Sequence, residues 1–371
     1  MKIRTCRRLG LGAMFVCMHG IAFCSGQSVD PVNMTSAKYL AEAAQGINTL
    51  QGWYAADTGL YQTTGWWNAA NAITVLTNYS RAVDTKQYEA TLANSFNEAQ
   101  KTNPGFINHY YDDEGWWALA WIDAYDLTLA PHYLNMAESI FADMAGGWDT
   151  STCGGGIWWS KDKTYKTAIA NELFLSVAAH LANRTSGDQR AQYVSWAKRE
   201  WDWFSATGMI NAENLINDGL DSSNPAVCKN NRQATWSYNQ GVILGGLAEY
   251  SRLGNRGSLL ARASQIALAA ITHLTDRGGV LHDPCEPSCG ADGPQFKGIF
   301  IRNLMWLDAA APNSTYQAFA ATNADNIWNN AQGPDHSFGL IWSGPFDSAD
   351  AARQSSALDT IISAAEMQVH H

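Results

Sequence analysis

Two kinds of apolar pattern alternate along the chain. In SLLARASQIALAAITHL, Leu259, Leu260, Ala263, Ile266, Ala267, Ala270, Ile271 and Leu274 recur at the 3.6-residue spacing of one helical stripe, with Arg262 and Gln265 opposite. Such a helix buries one face and wets the other. QRAQYVSWAKREWDWFSATG repeats the pattern through Val194, Ala197, Trp201 and Phe204. Other segments are apolar nearly all round: WWALAWIDAYDL, AIANELFLSVAAHL, GVILGGLAEY and IFIRNLMWL. A helix with no wet face has to be packed on every side.

The two kinds take turns. The spacing predicts wet-faced helices near 35–50, 86–100, 132–144, 188–206, 256–274 and 314–329, and buried ones near 66–80, 113–128, 167–182, 238–251, 297–309 and 349–365. Sustained alternation with period two is nearly absent, so sheets are expected to be minor. Helical hairpins whose second members are buried all round close into a ring, inner helices within outer ones. The expected fold is therefore all-α, an (α/α)6 barrel. A solenoid of the same units would keep one face of its stack polar and its repeats more alike.

The N-terminus departs from this alternation. Lys2, Arg4, Arg7 and Arg8 precede an apolar stretch from Leu9 to Phe23 that ends in small residues near Cys24, Ser25 and Gly26. That is the form of a secretory signal peptide, too short to span a bilayer comfortably. The expected organisation is a signal peptide over 1–26 and a single catalytic domain over 27–371, secreted or held at a cell wall. The C-terminal ALDTIISAAEMQVHH lacks the hydrophobic tail of a lipid-anchor signal.

Export changes how the cysteines are read. Cys6, Cys17 and Cys24 leave with the leader and four remain, an even number in an oxidising compartment. Cys285 and Cys289 in CEPSC suit a small closed loop, which leaves Cys153 for Cys228, with the other two pairings open on sequence alone. Zinc is the weaker reading, since no His stands at ligand spacing beside these pairs. No metal and no cofactor is expected. Sequons at Asn33, Asn78, Asn183 and Asn313 suit a glycosylated product.

Loss of the leader removes four basic residues from 24, leaving 20 against 34 acidic ones, a net charge of −14. Nucleic acid and anionic membranes are thereby disfavoured as partners, and a neutral ligand is favoured; a monomer is expected. Sixteen tryptophans, several in pairs, exceed what core packing needs. The segments that lead into the buried helices say where they go. TGWWN, NHYYDD, GGGIWWSKDKTYK, NRQATWSYNQ, CGADGPQFK and HSFGLIWSGPF all combine aromatics with amide, hydroxyl, ammonium or carboxyl groups. In a ring of hairpins these six gather at one rim. Aromatic faces stack on pyranose C–H faces while polar groups bond sugar hydroxyls. Trp67, Trp159 and Trp342 are candidate platforms, and Asn68, Lys166, Tyr238, Asn239, Gln240 and Lys297 candidate sugar contacts. Core packing and loop bonding are the rival readings of each.

The same rim carries Asp112 and Asp113. Glycoside hydrolysis needs two carboxyl groups about the scissile bond, and neighbouring residues, their Cα atoms ~3.8 Å apart, suit the short separation of a retaining enzyme. Both are expected in non-helical geometry at a helix entrance, so that their side chains diverge. Helix capping is the ordinary explanation of such a dipeptide, and a calcium site is a thinner one.

YDDEGWWALAWIDAYDLT resembles the signature of glycoside hydrolase family 76, the endo-acting α-1,6-mannanases of fungi and bacteria. The likeness continues through GGGIWWSKDKTYKTAIANELFLSVAAHLANRT, WSYNQGVILGGLAEY and FKGIFIRNL, most of the chain past the leader. The resemblance implies an (α/α)6 barrel, retention of configuration, Asp112 as nucleophile and Asp113 as acid/base, acting on α-1,6-linked mannan or mannooligosaccharides. The chain differs from the family pattern at Thr167, where Asn is frequent. A transglycosylase working on mannan-bearing glycolipid anchors and a non-catalytic mannan-binding protein are the alternatives to a hydrolase.

Overall fold

The computed structural model describes residues 31–369; the expected leader over 1–26 lies outside them. Twelve α-helices make up the described residues, together with short 3-10 turns and two hairpins whose strands have two residues each. Six helices are outer: α1 (Pro31–Gln51), α3 (Glu89–Glu98), α5 (Pro131–Gly146), α7 (Gly187–Phe204), α9 (Arg256–His273) and α11 (Ser314–Asn330). Six are inner: α2 (Trp66–Ala82), α4 (Tyr111–Thr128), α6 (Ala168–Arg184), α8 (Ser237–Ser251), α10 (Phe296–Ala310) and α12 (Ala351–Val369).

Burial separates the two sets as the periodicity predicts. Every residue of α6 from Ala168 to Ala182 is buried, whereas α9 buries only Leu259, Leu260, Ala263, Ile266, Ala267 and Ala270. Each inner helix packs on the next, α2 on α4, α4 on α6, α6 on α8, α8 on α10 and α10 on α12, and α12 returns to α2 to close the ring. The outer helices cover the seams: α5 lies against α4 and α6, α7 against α6, α9 against α8, and α1 and α11 both against α12.

Where inner helices approach most closely, glycine makes room. A Cβ on Gly298 would stand 2.3 Å from the Ser356 carbonyl of α12, and one on Gly241 2.6 Å from the Phe300 Cα of α10. Polar side chains then tie the ring along its axis. Arg302 of α10 donates to Asp359 of α12 at 2.6 Å and to Asn71 of α2 at 2.7 Å, so one guanidinium spans the closure. Arg184 of α6 binds Asp126 of α4 and Glu249 of α8.

Both disulfides join the cysteines that proximity favours: Cys285 to Cys289, and Cys153 to Cys228 across 75 residues. The Asn78 side chain is buried and bonded by Arg81, and the Asn183 amide donates to the Ala179 and Glu249 carbonyls and the Glu249 carboxylate. In the fold both side chains are engaged within the protein, Asn78 through its oxygen and Asn183 through its nitrogen. Asn313 caps α11, and the Asn33 side chain lies outside the described residues. Among the described residues no helix is long and apolar enough to cross a membrane.

Candidate active site

The inner helices run in one sense, so their N-termini and the loops before them meet at one end of the ring. A cleft of about 490 Å³ opens there, lined by Trp67 of α2, Asp112, Asp113 and Trp116 of α4, Thr167 and Ile169 at the start of α6, Tyr238 of α8 and Phe296 of α10. Tyr110, Trp159, Tyr165, Asp218 and Asp292 come from the loops.

Asp112 and Asp113 are within α4, not before it. Tyr110 is the N-terminal boundary residue and offers no side-chain cap, so the acids occupy the second and third helical positions. This corrects the non-helical geometry expected of them. The turn before the helix is braced by neighbours: Asn108 Oδ1 accepts the Tyr110 N–H at 2.8 Å, Glu114 Oε1 accepts the Asn108 N–H at 3.1 Å, and the first helical N–H, of Tyr111, donates to the Trp159 carbonyl at 2.9 Å. Both acids line the cleft, and ~100° of helical rotation between successive residues separates their side chains.

Each acid is half-buried and held by one N–H donor. Trp159 Nε1 donates to Asp112 Oδ2 at 3.0 Å, and Asn108 Nδ2 donates to Asp113 Oδ2 at 2.7 Å. Asp112 Oδ1 is covered and has no hydrogen-bond partner among the described residues. Burial, and after it the charge of Asp113, pushes the Asp112 carboxyl well above the usual range; Trp159 and the N–H groups of the helix start pull it part of the way back. Burial raises Asp113 to about 6 against the Asn108 bond, with help from Asp292. Two carboxyls so placed do not both ionise readily, and the pair holds one proton into the mildly acidic range.

Aromatic rings form the walls. Trp67 stacks on Trp116 with centroids 5.6 Å apart and donates from Nε1 to Asp292 at 2.8 Å; Tyr238 lies flat on Phe296 at 3.9 Å. Trp159, 37% exposed, leans on Tyr110 at 4.9 Å. Asp218 is clasped by Tyr165 Oη at 2.5 Å and Trp236 Nε1 at 3.0 Å. The lining holds four carboxyls and no basic side chain. Behind the lining, Glu172 is fully buried within electrostatic reach of Asp218 and Tyr238, and burial pushes its carboxyl well above the usual range.

Of the sequence-derived contacts, Trp67, Trp159 and Tyr238 line the cleft. Six others do not and are corrected. Lys166 is sealed beneath the loop before α6, where its ammonium donates to the carbonyls of Asp149, Thr152 and Gly155 at 2.5–2.7 Å. Lys297 is buried against Glu286 at 2.6 Å, the Leu340 carbonyl and the face of Trp342, itself 1% exposed. Gln240 spends its amide on Ile216 and Trp236, Asn68 accepts the Gly65 N–H at the start of α2, and Asn239 is fully buried off the cleft. None of the six reaches a ligand in the groove. Tyr165, Asp292 and Phe296 were missed as contacts although their segments were recognised as rim. Asp218 stood in a loop, NLINDGL, that carried no signal at all.

A family model for glycosyl hydrolase family 76 matches residues 35–370. The chain belongs to that family. Among curated relatives of this family-76 protein, a mannan endo-1,6-alpha-mannosidase of Candida albicans is 27% identical over 277 residues, covering 67% of this chain and 59% of the relative. One from Saccharomyces cerevisiae is 27% identical over 324 residues, with 80% and 71% covered. The fold agrees with solved family members. An α-1,6-mannanase of Salegentibacter, an inactive variant with two adjacent aspartates changed to asparagine and α-1,6-mannotriose bound, superposes with TM-score 0.81 at 22% identity over 89% of this chain and 99% of that one. Dfg5 of Chaetomium thermophilum, in complex with glucosamine, gives 0.78 at 21% identity over 89% and 90%.

Proposed function

We propose that the protein is a secreted, endo-acting α-1,6-mannanase that cleaves with retention of configuration. The observation that carries the reading is the adjacent pair Asp112 and Asp113, both facing one aromatic groove and each steadied by a single N–H donor. The inactive Salegentibacter variant altered at two neighbouring aspartates, and its bound mannotriose, support the assignment.

In the proposed reaction Asp113 gives its proton to the glycosidic oxygen while an Asp112 oxygen bonds to the anomeric carbon and the leaving chain departs. Asp113, now ionised, takes a proton from water, which attacks the same carbon and releases Asp112. Burial and mutual repulsion keep a proton on the pair as a unit. Substrate divides the roles: positive charge developing at the anomeric carbon stabilises an Asp112 carboxylate, and the glycosidic oxygen takes up the proton on the Asp113 side.

The test is release of reducing ends from linear α-1,6-mannan. Asp113→Asn should lower kcat by about 10²- to 10⁴-fold, and Asp112→Asn by more. A 2-fluoro mannosyl substrate analogue should label Asp112, and the first sugar anomer released should be α. Labelling of Asp113 reverses the two roles, a β product defeats retention, and tight binding without turnover defeats the enzyme. Products longer than the starting oligomer point to transfer.

A further inference from the structure

A second hollow of about 500 Å³ continues the cleft past Tyr165 and Asp218. It shares Tyr165 and Asp218 with the cleft and is otherwise lined by Leu220, Asp221, Asn231 and Gln233. Those four belong to, or directly follow, a hairpin of β3 (Leu220–Asp221) and β4 (Lys229–Asn230). The hairpin is fastened at both ends. At its base the Leu220 N–H donates to the Lys166 carbonyl, the Ala168 N–H to that of Asp218 and the Asn231 N–H to that of Gly219. A Cβ on Gly219 would strike the Lys166 carbonyl and the Tyr165 hydroxyl, both at 2.6 Å, so glycine allows this seam to close. At its tip the Cys153–Cys228 disulfide and a bond from the Cys153 N–H to the Pro225 carbonyl tie it to the loop that Lys166 staples from below.

A surface turn does not need this much anchoring, and the side chains it presents are suited to a ligand. Tyr165 lines both hollows, with its hydroxyl fixed by Asp218 and by Asn231 Nδ2 at 2.7 Å. Gln233 is exposed, and its side-chain amide has no hydrogen-bond partner among the described residues. An aromatic face flanked by a free amide and carboxylates is the donor and acceptor set that hexose hydroxyls use.

We infer that the hairpin is the wall of a distal binding segment that holds mannosyl units beyond those at the acid pair, and so sets the enzyme's preference for long chains. This rests on the proposed mannanase reading and extends it to a defined part of the surface. The experiment compares kcat/KM for α-1,6-mannohexaose and α-1,6-mannotriose. The wild type should favour the hexaose. Gln233→Ala should lower the hexaose-to-triose ratio about fivefold, the worth of one hydrogen bond. A Cys153→Ser/Cys228→Ser double variant, which frees the tip without touching the groove, should lower it at least as far. An unchanged ratio in both variants overturns the inference while leaving the mannanase reading intact. If the wild type cleaves neither oligosaccharide, that reading fails by itself, and calorimetric affinities for the same two sugars in the same variants decide whether the hairpin selects for length.

Discussion

Trp159 has two duties at the residue scale: its ring is open to the groove, and its N–H holds Asp112. Trp159→Phe keeps a ring and removes the donor. A carboxyl that loses a donor to its ionised form titrates higher, so the pair should surrender its first proton later. The acid limb of the kcat/KM profile should move up by ~1 pH unit, with a roughly tenfold fall in kcat at the optimum; an unmoved acid limb would contradict the bond. The acids and the indoles beside them were legible in the sequence because few chemistries need that combination. Lys166 and Lys297 misled for a physical reason. A lysine in a polar, aromatic segment looks the same whether its ammonium faces a sugar or fills a cage of backbone carbonyls, and only packing tells the two apart.

At the scale of elements, the helices were readable because burial on one stripe or on all sides writes itself into residue spacing, and α6 and α9 show the two extremes. Their starts were less readable. Nothing in the spacing announces that Asn108 and Glu114 brace the preceding turn or that the Trp159 carbonyl takes the Tyr111 N–H, and α4 begins two residues sooner than periodicity suggests. The loop before α6 depends on Lys166 in the same hidden way. Lys166→Met leaves three buried carbonyls without their donor and should cost ~3 kcal/mol in denaturant unfolding. Trp159 rides on that loop, so kcat should drop further than KM rises. A variant with wild-type stability would show that the cage is filled by something other than the ammonium.

For the whole molecule, buried acids govern how stability follows pH. Burial lifts Asp113, Asp123, Asp283 and Asp359 each to about 6 in the folded state. These groups ionise earlier when unfolded, so between about pH 4 and 6 the folded chain binds more protons and loses stability as pH rises. Glu249 works in the opposite sense. Its partners His180, Arg184 and Arg252 outweigh its burial and hold it at about 2, and the stability it lends is lost as pH falls from about 4 toward 2. The melting temperature should therefore peak at a mildly acidic pH of about 4 to 5 and decline on both sides. A maximum at neutral pH, measured calorimetrically, would contradict the burial of these acids.

The groove's lining of four carboxyls, without a lysine or arginine among them, has one more outcome. Five positive helix ends temper that field from below, but no side chain of the lining carries a positive charge to oppose it. An uncharged polysaccharide glides in. A strand studded with phosphodiesters or uronates meets mutual repulsion at each step, so the machinery sorts its diet by electrostatics before any bond is broken.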